Sequence, residues 1–561
     1  MESRHRNSEK RRPLAENEAL EQASFLTPVM LSILVTETGE RFAYFGFRAV
    51  LVLYFNQAVE YDESQSVANY AFVTSLAYFS PIAGAVMADG RWGRYNTILY
   101  FGIVYIFGLA ILTAASVLHD LSLKRLVSFV GLFFVCLGTG GIKPCVSSFG
   151  ADQVGHAPNI QDDDDNKDSV GQIELAARAA QVQGFFAYFY FCINLGALTS
   201  ISTIPLLRAH YGFRAAFFTP LVFMILAMAL FVSKRQDYVH HLPEKDGSSL
   251  LTTCRYTLWL FRRNIANSYP SLTSRLPFLT PGSLSEYSVL RNSLDDETKT
   301  TREDEVIVDD DGSSDLQLED AAQALHVLPI MMMLPIFWAL YDQQSSVWTL
   351  QAQRMKLHGL QPEQLNVINP MQIMVFIPFF DKIVYPALRQ RHVNIEPLRR
   401  MSWGMLLAAA SFVISGLVEN AIQKATPNSV DVFWQLPQIT VLAIAEIFLS
   451  VTGLEFAYAT SSERLKTFLM GVFLLTTAVG DMFSGVLYST IFAHLNQAVV
   501  LYVCAALMLG NLALYQKVVV WYNRCDVHTL RESSDDIEIQ AFKRSAIRET
   551  TSSNSHDVQV T

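Results

Sequence analysis

LSILVTETGERFAYFGFRAVLVLYF, from Leu31 to Phe55, decides how the rest of the chain is read. About 20 mostly apolar residues cross a bilayer as a helix, and this stretch has that length. It nonetheless carries Glu37, Glu40, Arg41 and Arg48. A charge at the bilayer centre costs at least ~2.5–3.5 kcal/mol even on lenient insertion scales. At roughly 100° per residue, Arg41 lies about 40° round the helix from Glu37, and Arg48 about 20°. Tyr44 lies about 20° the other way and Glu40 about 60°, so all five share an arc of about 100°. Lipid cannot face that arc; a polar cavity or a partner helix must. A buried Glu–Arg pair that only locks two helices together would meet the same constraint. Intramembrane ionisable groups more often mark a transport pathway.

Composition agrees with a chain that lives in lipid. The 561 residues are 51% hydrophobic and only 17% charged, with a mean hydropathy of +0.24. A soluble chain carries about 25% charge. The formal net charge of −10 sits in hydrophilic loops and the C-terminal tail, while short loops between apolar runs lean basic. That argues against a nucleic-acid partner and says little about the charge of a substrate. Cys136, Cys145, Cys192, Cys254, Cys504 and Cys525 show no metal-type spacing and imply no disulfide framework. MESRHRNSEKRRPL at the start is polar and basic, and no apolar core follows until about residue 25. No cleavable signal peptide is visible. The first apolar run is expected to direct insertion itself, with its basic flank kept in the cytosol.

Apolar runs of spanning length fall near 26–55, 67–89, 96–118, 126–150, 180–206, 213–233, 323–348, 364–388, 400–420, 431–459, 466–493 and 497–522, which makes twelve expected spans. With the N-terminus inside, the loops after spans two, eight and ten are cytosolic. They hold Arg91 and Arg94; Arg389, Arg391, Arg399 and Arg400; and Arg464 and Lys466. Loops expected outside are poor in Lys and Arg, Lys124 and Arg125 being the main exception. An even number of spans puts both termini in the cytosol. Residues 234–322 are a long polar segment, partly disordered by composition. Within it, LLTTCRYTLWLFRRNIANSY from Leu250 has the pattern of an amphipathic helix on the inner membrane face. The expected division is therefore a cytosolic tail (1–25), a six-helix bundle (26–233), a cytosolic linker (234–322), a second six-helix bundle (323–522) and a cytosolic tail (523–561). The class is an all-α polytopic membrane protein. Two parallel halves of six spans are the plan of a transporter whose substrate site lies at the midplane between them.

Six dispersed segments then carry a family resemblance. ETGERFAYFG (Glu37 to Gly46) resembles the ExxER-F-x-Y-x-G element of proton-dependent oligopeptide transporters. GAVMADGRWGRYNTILYFG (Gly84 to Gly102) is similar to the family signature around the loop after span two, although Arg91 stands where a hydrophobic residue is usual. FAYFYFCINLGAL (Phe186 to Leu198) fits the second family signature throughout. GTGGIKPCVSSFGADQ (Gly138 to Gln153), FWALYDQQSSVWTLQA (Phe337 to Ala352) and AEIFLSVTGLEFAYA (Ala445 to Ala459) are also similar. The likeness runs from the first span to the eleventh and leaves out the tails and the linker. The large extracellular domain that animal intestinal-type members carry between spans nine and ten has no counterpart here, where only ENAIQKATPNSVDV intervenes.

The resemblance implies the major facilitator fold, with twelve transmembrane helices in two six-helix bundles. It also implies proton-coupled symport of di- and tripeptides by alternating access, with no resident cofactor and protons as the coupling ion. A short peptide has a cationic amino end, an anionic carboxylate and amides between. A site of low dielectric must answer each charge, because unpaired charges there are costly. Arg48 and Lys143 are the candidate carboxylate partners, and Glu446 is the candidate for the amino end. Asn194 and Asn369 are placed to bond the amide, and Tyr44, Tyr78, Tyr190 and Trp338 to line the pocket, with Trp338 the best of the four. Pro144 after Lys143 leads to the expectation of a helix irregularity there. Glu37, Glu40 and Arg41 would sense the proton, since two carboxylates within a turn cannot both stay ionised cheaply. Arg48 and Asp342 are expected to pair across the halves as an outer gate, and Lys143 and Glu446 to pair near the inner side.

Two departures sharpen this. Animal peptide transporters of the family carry a histidine in span two where Ala71 stands here, which puts the proton on the Glu37–Glu40–Arg41 cluster, as in bacterial members. Plant nitrate-type relatives use a histidine in span seven where this chain has Tyr341, which offers nitrate no cation. The rival readings are a same-fold carrier of another small solute, such as histidine, nitrate or a peptide-like metabolite, and a nutrient receptor or scaffold without net flux. No nucleophile–base pair or metal cluster suggests an enzyme. The protein is expected to work as a monomer in a lipid bilayer, in the plasma membrane; an acidic internal membrane such as the lysosomal one would supply the same gradient.

Overall fold

A computed structural model describes residues 27–154, 167–240, 326–391, 396–453, 456 and 465–524. The amphipathic stretch expected at Leu250, most of the linker and both tails lie outside the described residues. Within them every element is helical, and the one strand-like contact is an isolated bridge between Lys356 and Asp431. Large apolar side chains such as Ile103, Phe107 and Leu226 are exposed, as a lipid-facing surface requires, whereas many of the polar groups of the spans are turned inward.

Nine helices among the described residues are long and apolar enough to cross a membrane, judged by length and composition. One of them, Tyr188–Ser233, has 46 residues. It is broken at Gly212, whose φ of 76° and ψ of −178° are not helical, and so divides where the fifth and sixth spans were expected to meet. Two expected spans fall short for physical reasons. The first (Pro28–Leu53) holds four charges. The seventh is split into Leu334–Tyr341, a 3-10 segment Asp342–Ser345, and Val347–Gln353.

The first helix starts cleanly: Thr27 is its N-cap and accepts from the Met30 amide, and Pro28 fills the first helical position. Its far end explains the basic loop that broke the orientation rule. Lys124 Nζ donates to the Ala58 carbonyl at 3.3 Å, and Arg125 donates to those of Val59 and Glu60 at 3.1 Å each. These cations satisfy carbonyls left over at a helix C-terminus, where positive charge is favoured. They are structural caps, so they carry no vote on topology.

The first helix packs against the fifth and sixth, the third against the fourth, and the second against the eleventh, across the two halves. Glycine sets the closest approach. A Cβ at Gly140 would fall 1.9 Å from Ser80 Oγ, and one at Gly141 would fall 2.0 Å from the Phe101 ring. A Cβ at Gly84 would fall 2.6 Å from the Gly141 Cα, so spans two and four meet backbone to backbone beside Lys143, with the Phe101 ring of span three pressed against them. The irregularity expected there is absent: the helix Leu121–Asp152 runs unbroken through Pro144. Close neighbours hold such a proline in place; irregular turns occur instead at Asp342–Ser345 and Ile447–Val451, and also at Tyr54–Ala58, Ala88–Trp92 and Phe380–Val384.

Contacts between the halves cluster at one end of the molecule, the end bearing the loops after spans one and seven. Arg208 Nε lies 2.5 Å from Glu363 Oε1, and Gln361 Oε1 accepts from Arg208 at 3.0 Å. Gln364 donates to the Ser202 carbonyl at 3.1 Å, and Ser64 to that of Tyr488 at 2.6 Å.

Gly141→Val is expected to destabilise the protein by ~1–3 kcal/mol, the usual cost of overpacking. Gly510→Val, where a Cβ meets nothing within 4 Å, should be neutral in the same thermal-unfolding comparison. Arg208→Met strands a fully buried carboxylate at Glu363 and should cost about 3–5 kcal/mol. Adding Glu363→Leu should recover most of that loss, and additive losses in the double variant would show that the pair is not coupled.

Candidate functional site

The first helix brings its charges to two separate places. Lower on the helix, Arg41 Nε lies 3.0 Å from Glu37 Oε1, one turn away, and Arg41 Nη2 pairs with Glu40. Glu40 Oε1 also accepts from Thr139 Oγ1 of span four at 2.9 Å. Exposure is 3% for Glu37, 0% for Glu40 and 7% for Arg41, so the whole cluster is shut away from lipid. Lys143 stands within electrostatic reach of it. Two carboxylates thus face two cations. The Lys143 nitrogen sits 3.8 Å from the Tyr44 ring centroid and 4.6 Å from that of Tyr78. These two tyrosines hold a desolvated ammonium through their ring faces.

Two turns further along, Arg48 leaves its own half. Its Nη2 lies 2.6 Å from Asp342 Oδ1, and its Nε donates to Tyr70 Oη at 2.8 Å. The buried side chain of Tyr70 thereby fixes the direction in which the guanidinium points. Asp342 opens the 3-10 segment of span seven. Irregular backbone in the middle of a helix often marks a hinge, and here it turns the carboxylate towards the other half.

Beside this ion pair lies a cavity of about 570 Å³. Arg48, Tyr190 and Asn194 line it from the N-terminal half, and Tyr341, Asp342, Asn369 and Glu446 from the C-terminal half. Asn369 Nδ2 donates to Glu446 Oε2 and to Tyr341 Oη, at 3.1 Å each. The Asn369 carbonyl oxygen is buried with no donor facing it. Asn194 spends its amide on the Tyr190 carbonyl of its own helix, at 2.8 Å. The cavity therefore has a cation on one half and a carboxylate on the other, with amides between.

Several expected wall residues stand elsewhere. Tyr44, Tyr78 and Lys143 form their own cluster and do not line the cavity. Trp338 is only 8% exposed and packs edge-on against Tyr341 and Phe473. Tyr341 takes the wall position, leaving Trp338 as support behind it. The expected Lys143–Glu446 pair is not made. The halves are tied at the Arg48–Asp342 end, while Glu446 stays with Asn369 and Lys143 with its tyrosines.

Sequence reasoning missed four participants. Tyr70 was masked because aromatic residues in spans are usually plain packing. Arg208 and Glu363 sit at span ends, where charges are ordinary. Asp481 did carry a signal, being a lone acid in the apolar run TTAVGDMFSG; the rule that singled out Glu37 applies to it equally. Among the described residues no group of three or more His, Cys, Asp or Glu is arranged to hold a metal ion. Cys136, Cys192 and Cys504 are free thiols.

Comparison with known proteins gives this geometry a family. The family model described as the POT family matches residues 95–501. Solute carrier family 15 member 2 of Mus musculus is 34% identical over 436 residues, covering 75% of this chain and 53% of the relative. Peptide transporter family 1 of Drosophila melanogaster is 34% identical over 417 residues, covering 71% and 49%. The chain thus spans about half the length of the curated relatives it matches. In fold, it is similar to the crystal structure of the POT family transporter PepTSo, with a TM-score of 0.70 at 24% identity, covering 89% of this chain and 99% of that one. Sequence, helical architecture and these likenesses agree: the chain is a multi-pass membrane protein that belongs to the POT family of transporters.

Proposed function

We propose that the protein is a proton-coupled symporter of di- and tripeptides that works by alternating access. The observation that carries this reading is the single cavity bounded by Arg48 on one half and by Glu446 on the other. A zwitterionic peptide answers both charges at once, which a lone anion such as nitrate does not. Its carboxylate would take Arg48, with Lys143 near by, and its amino end Glu446. The buried Asn369 carbonyl, lacking a donor, would accept from a peptide N–H. Asn194 would rotate from its own helix to do likewise.

Binding and gating would then share one group. The peptide carboxylate competes with Asp342 for Arg48, and the Arg48–Asp342 pair ties the halves. Substrate therefore loosens the closed end as it docks, and the halves rock about the site. Protonation at Glu37 or Glu40 would weaken the hold on Arg41 in the same helix. With the N-terminus in the cytosol, the closed end is the outer one and this arrangement faces inward. One charge moved through 100 mV is worth about 2.3 kcal/mol, or roughly fifty-fold in accumulation. No cofactor is needed for such a cycle. A monomer in the plasma membrane suffices, and an acidic internal membrane would supply the same driving force.

Purified protein in lipid vesicles is expected to take up labelled dialanine faster under an inward acid gradient, and a protonophore should abolish accumulation. Uptake indifferent to the gradient would remove proton coupling; competition by histidine or nitrate with none by dipeptides would remove the peptide assignment. Glu446→Gln should weaken peptides with a free amino end by ten-fold or more, as expected for about 1.5–3 kcal/mol of charged hydrogen bonding. N-acetylated peptides should be little affected, and an unchanged affinity for free-amino peptides in Glu446→Gln would take Glu446 out of the site. Glu40→Gln should keep dialanine exchange but lose acid-driven accumulation; an unchanged pH profile would count against the cluster.

A further inference from the structure

Asp481 lies on span eleven, within the helix Leu465–Ser489 that packs against spans two and seven. It is 0% exposed, and both its carboxylate oxygens are buried without a hydrogen-bond donor. Asp342 Oδ2 is buried and donorless as well. The two side chains are within hydrogen-bonding reach of each other. Asp342 Oδ1 is meanwhile engaged by Arg48. Three orphan oxygens of two carboxyl groups therefore meet in one dry spot, beside a single guanidinium.

A buried ionised carboxylate with no donor is among the most expensive arrangements a protein can hold. Two of them face to face are worse, since like charges at that separation cannot both ionise cheaply. Among the described residues, the groups facing Asp481 offer no second cation. They are Arg48 from span one, Tyr70 and Tyr78 from span two, and Asp342 from span seven. Arg48 is already shared between Asp342 and Tyr70. Tyr70 presents its hydroxyl to Arg48 Nε, and Tyr78 faces Lys143.

We propose that the span-eleven acid Asp481 holds a proton and shares it with Asp342. The O–H of Asp481 donates to Asp342 Oδ2, and Asp342 Oδ1 remains the anionic partner of Arg48. One proton thereby gives Asp342 Oδ2 its donor and neutralises Asp481. The formal charge of Arg48, Asp342 and Asp481 together is then zero; without the proton it is −1 and buried. The proton keeps the inter-half tie neutral, and because Arg48 and Asp342 line the cavity, the site lies one residue away from where a substrate would bind.

The test needs no substrate, so it stands whether or not the peptide assignment does. Infrared difference spectra of the purified full-length protein in lipid, taken at neutral pH as wild type minus Asp481→Asn, should show loss of one protonated-carboxyl C=O band. Asp481→Ser should lose the same band. Identical carboxyl bands in wild type and both variants would overturn the proposal. Asparagine copies the shape and donor of the neutral acid, so Asp481→Asn should unfold at the wild-type temperature. Failure of that variant to fold would also contradict a protonated Asp481.

Discussion

One ion pair between Arg48 and Asp342 joins the two halves of this protein across what would otherwise be a water-filled cleft. Everything around it follows from the cost of charge in a membrane. An arginine in the first span must be answered, and the answer comes from the other half, 2.6 Å away. Breaking such a buried pair without replacement costs about 3–5 kcal/mol. Separation of the halves at that end has to meet this cost, together with that of the Arg208–Glu363 pair. A carboxylate arriving in the cavity is suited to take over the guanidinium. In the proposed cycle, the group that meets the cost of buried charge is also the one that couples substrate to movement.

The same economy governs the rest of the charged interior. Glu37, Glu40, Arg41 and Lys143 balance one another within the N-terminal half. Glu446 is held by the amide of Asn369 and the hydroxyl of Tyr341. Arg208 and Glu363 close the periphery of the tied end. At Asp481 the available cations run out, and a proton is the remaining way to neutralise the site. Backbone irregularity accompanies these places. Asp342 opens a 3-10 segment and Glu446 immediately precedes a π-turn, so the two cavity-lining acids of the C-terminal half stand where helices depart from regular geometry.

Much of this was legible in the sequence because the rule is strong: an ionisable residue in an apolar run demands a partner. That rule found the first span and, with the family resemblance, paired Arg48 with Asp342. It also reaches Asp481. Apolar periodicity located the helices but could not say that the seventh is broken after Tyr341, or that the eighth tolerates Pro378 within a helix. Proline next to Lys143 pointed to a break that close packing of Gly140 and Gly141 against spans two and three prevents. Aromatic residues were the least legible. Whether Trp338 or Tyr341 forms the wall depends on how span seven turns, which no local pattern encodes. The basic residues Lys124 and Arg125 opposed the charge rule because they cap a helix end, and that is visible only once the end is in place.

The central claim is that the two ends of the cleft open in opposition, with the Arg48–Asp342 pair as the tie. Pulsed electron spin resonance can read both ends at once. One protein would carry labels at Gln57 and Thr490, on the tied end; another would carry them at Gln236 and Gln390, on the opposite end. All four positions are exposed. Acid pH with saturating dialanine should lengthen the first distance and shorten the second, and Asp342→Asn should shift both the same way without dialanine. Two distances that move in the same direction, or a tied end that stays shut in Asp342→Asn, would contradict alternating access through this pair.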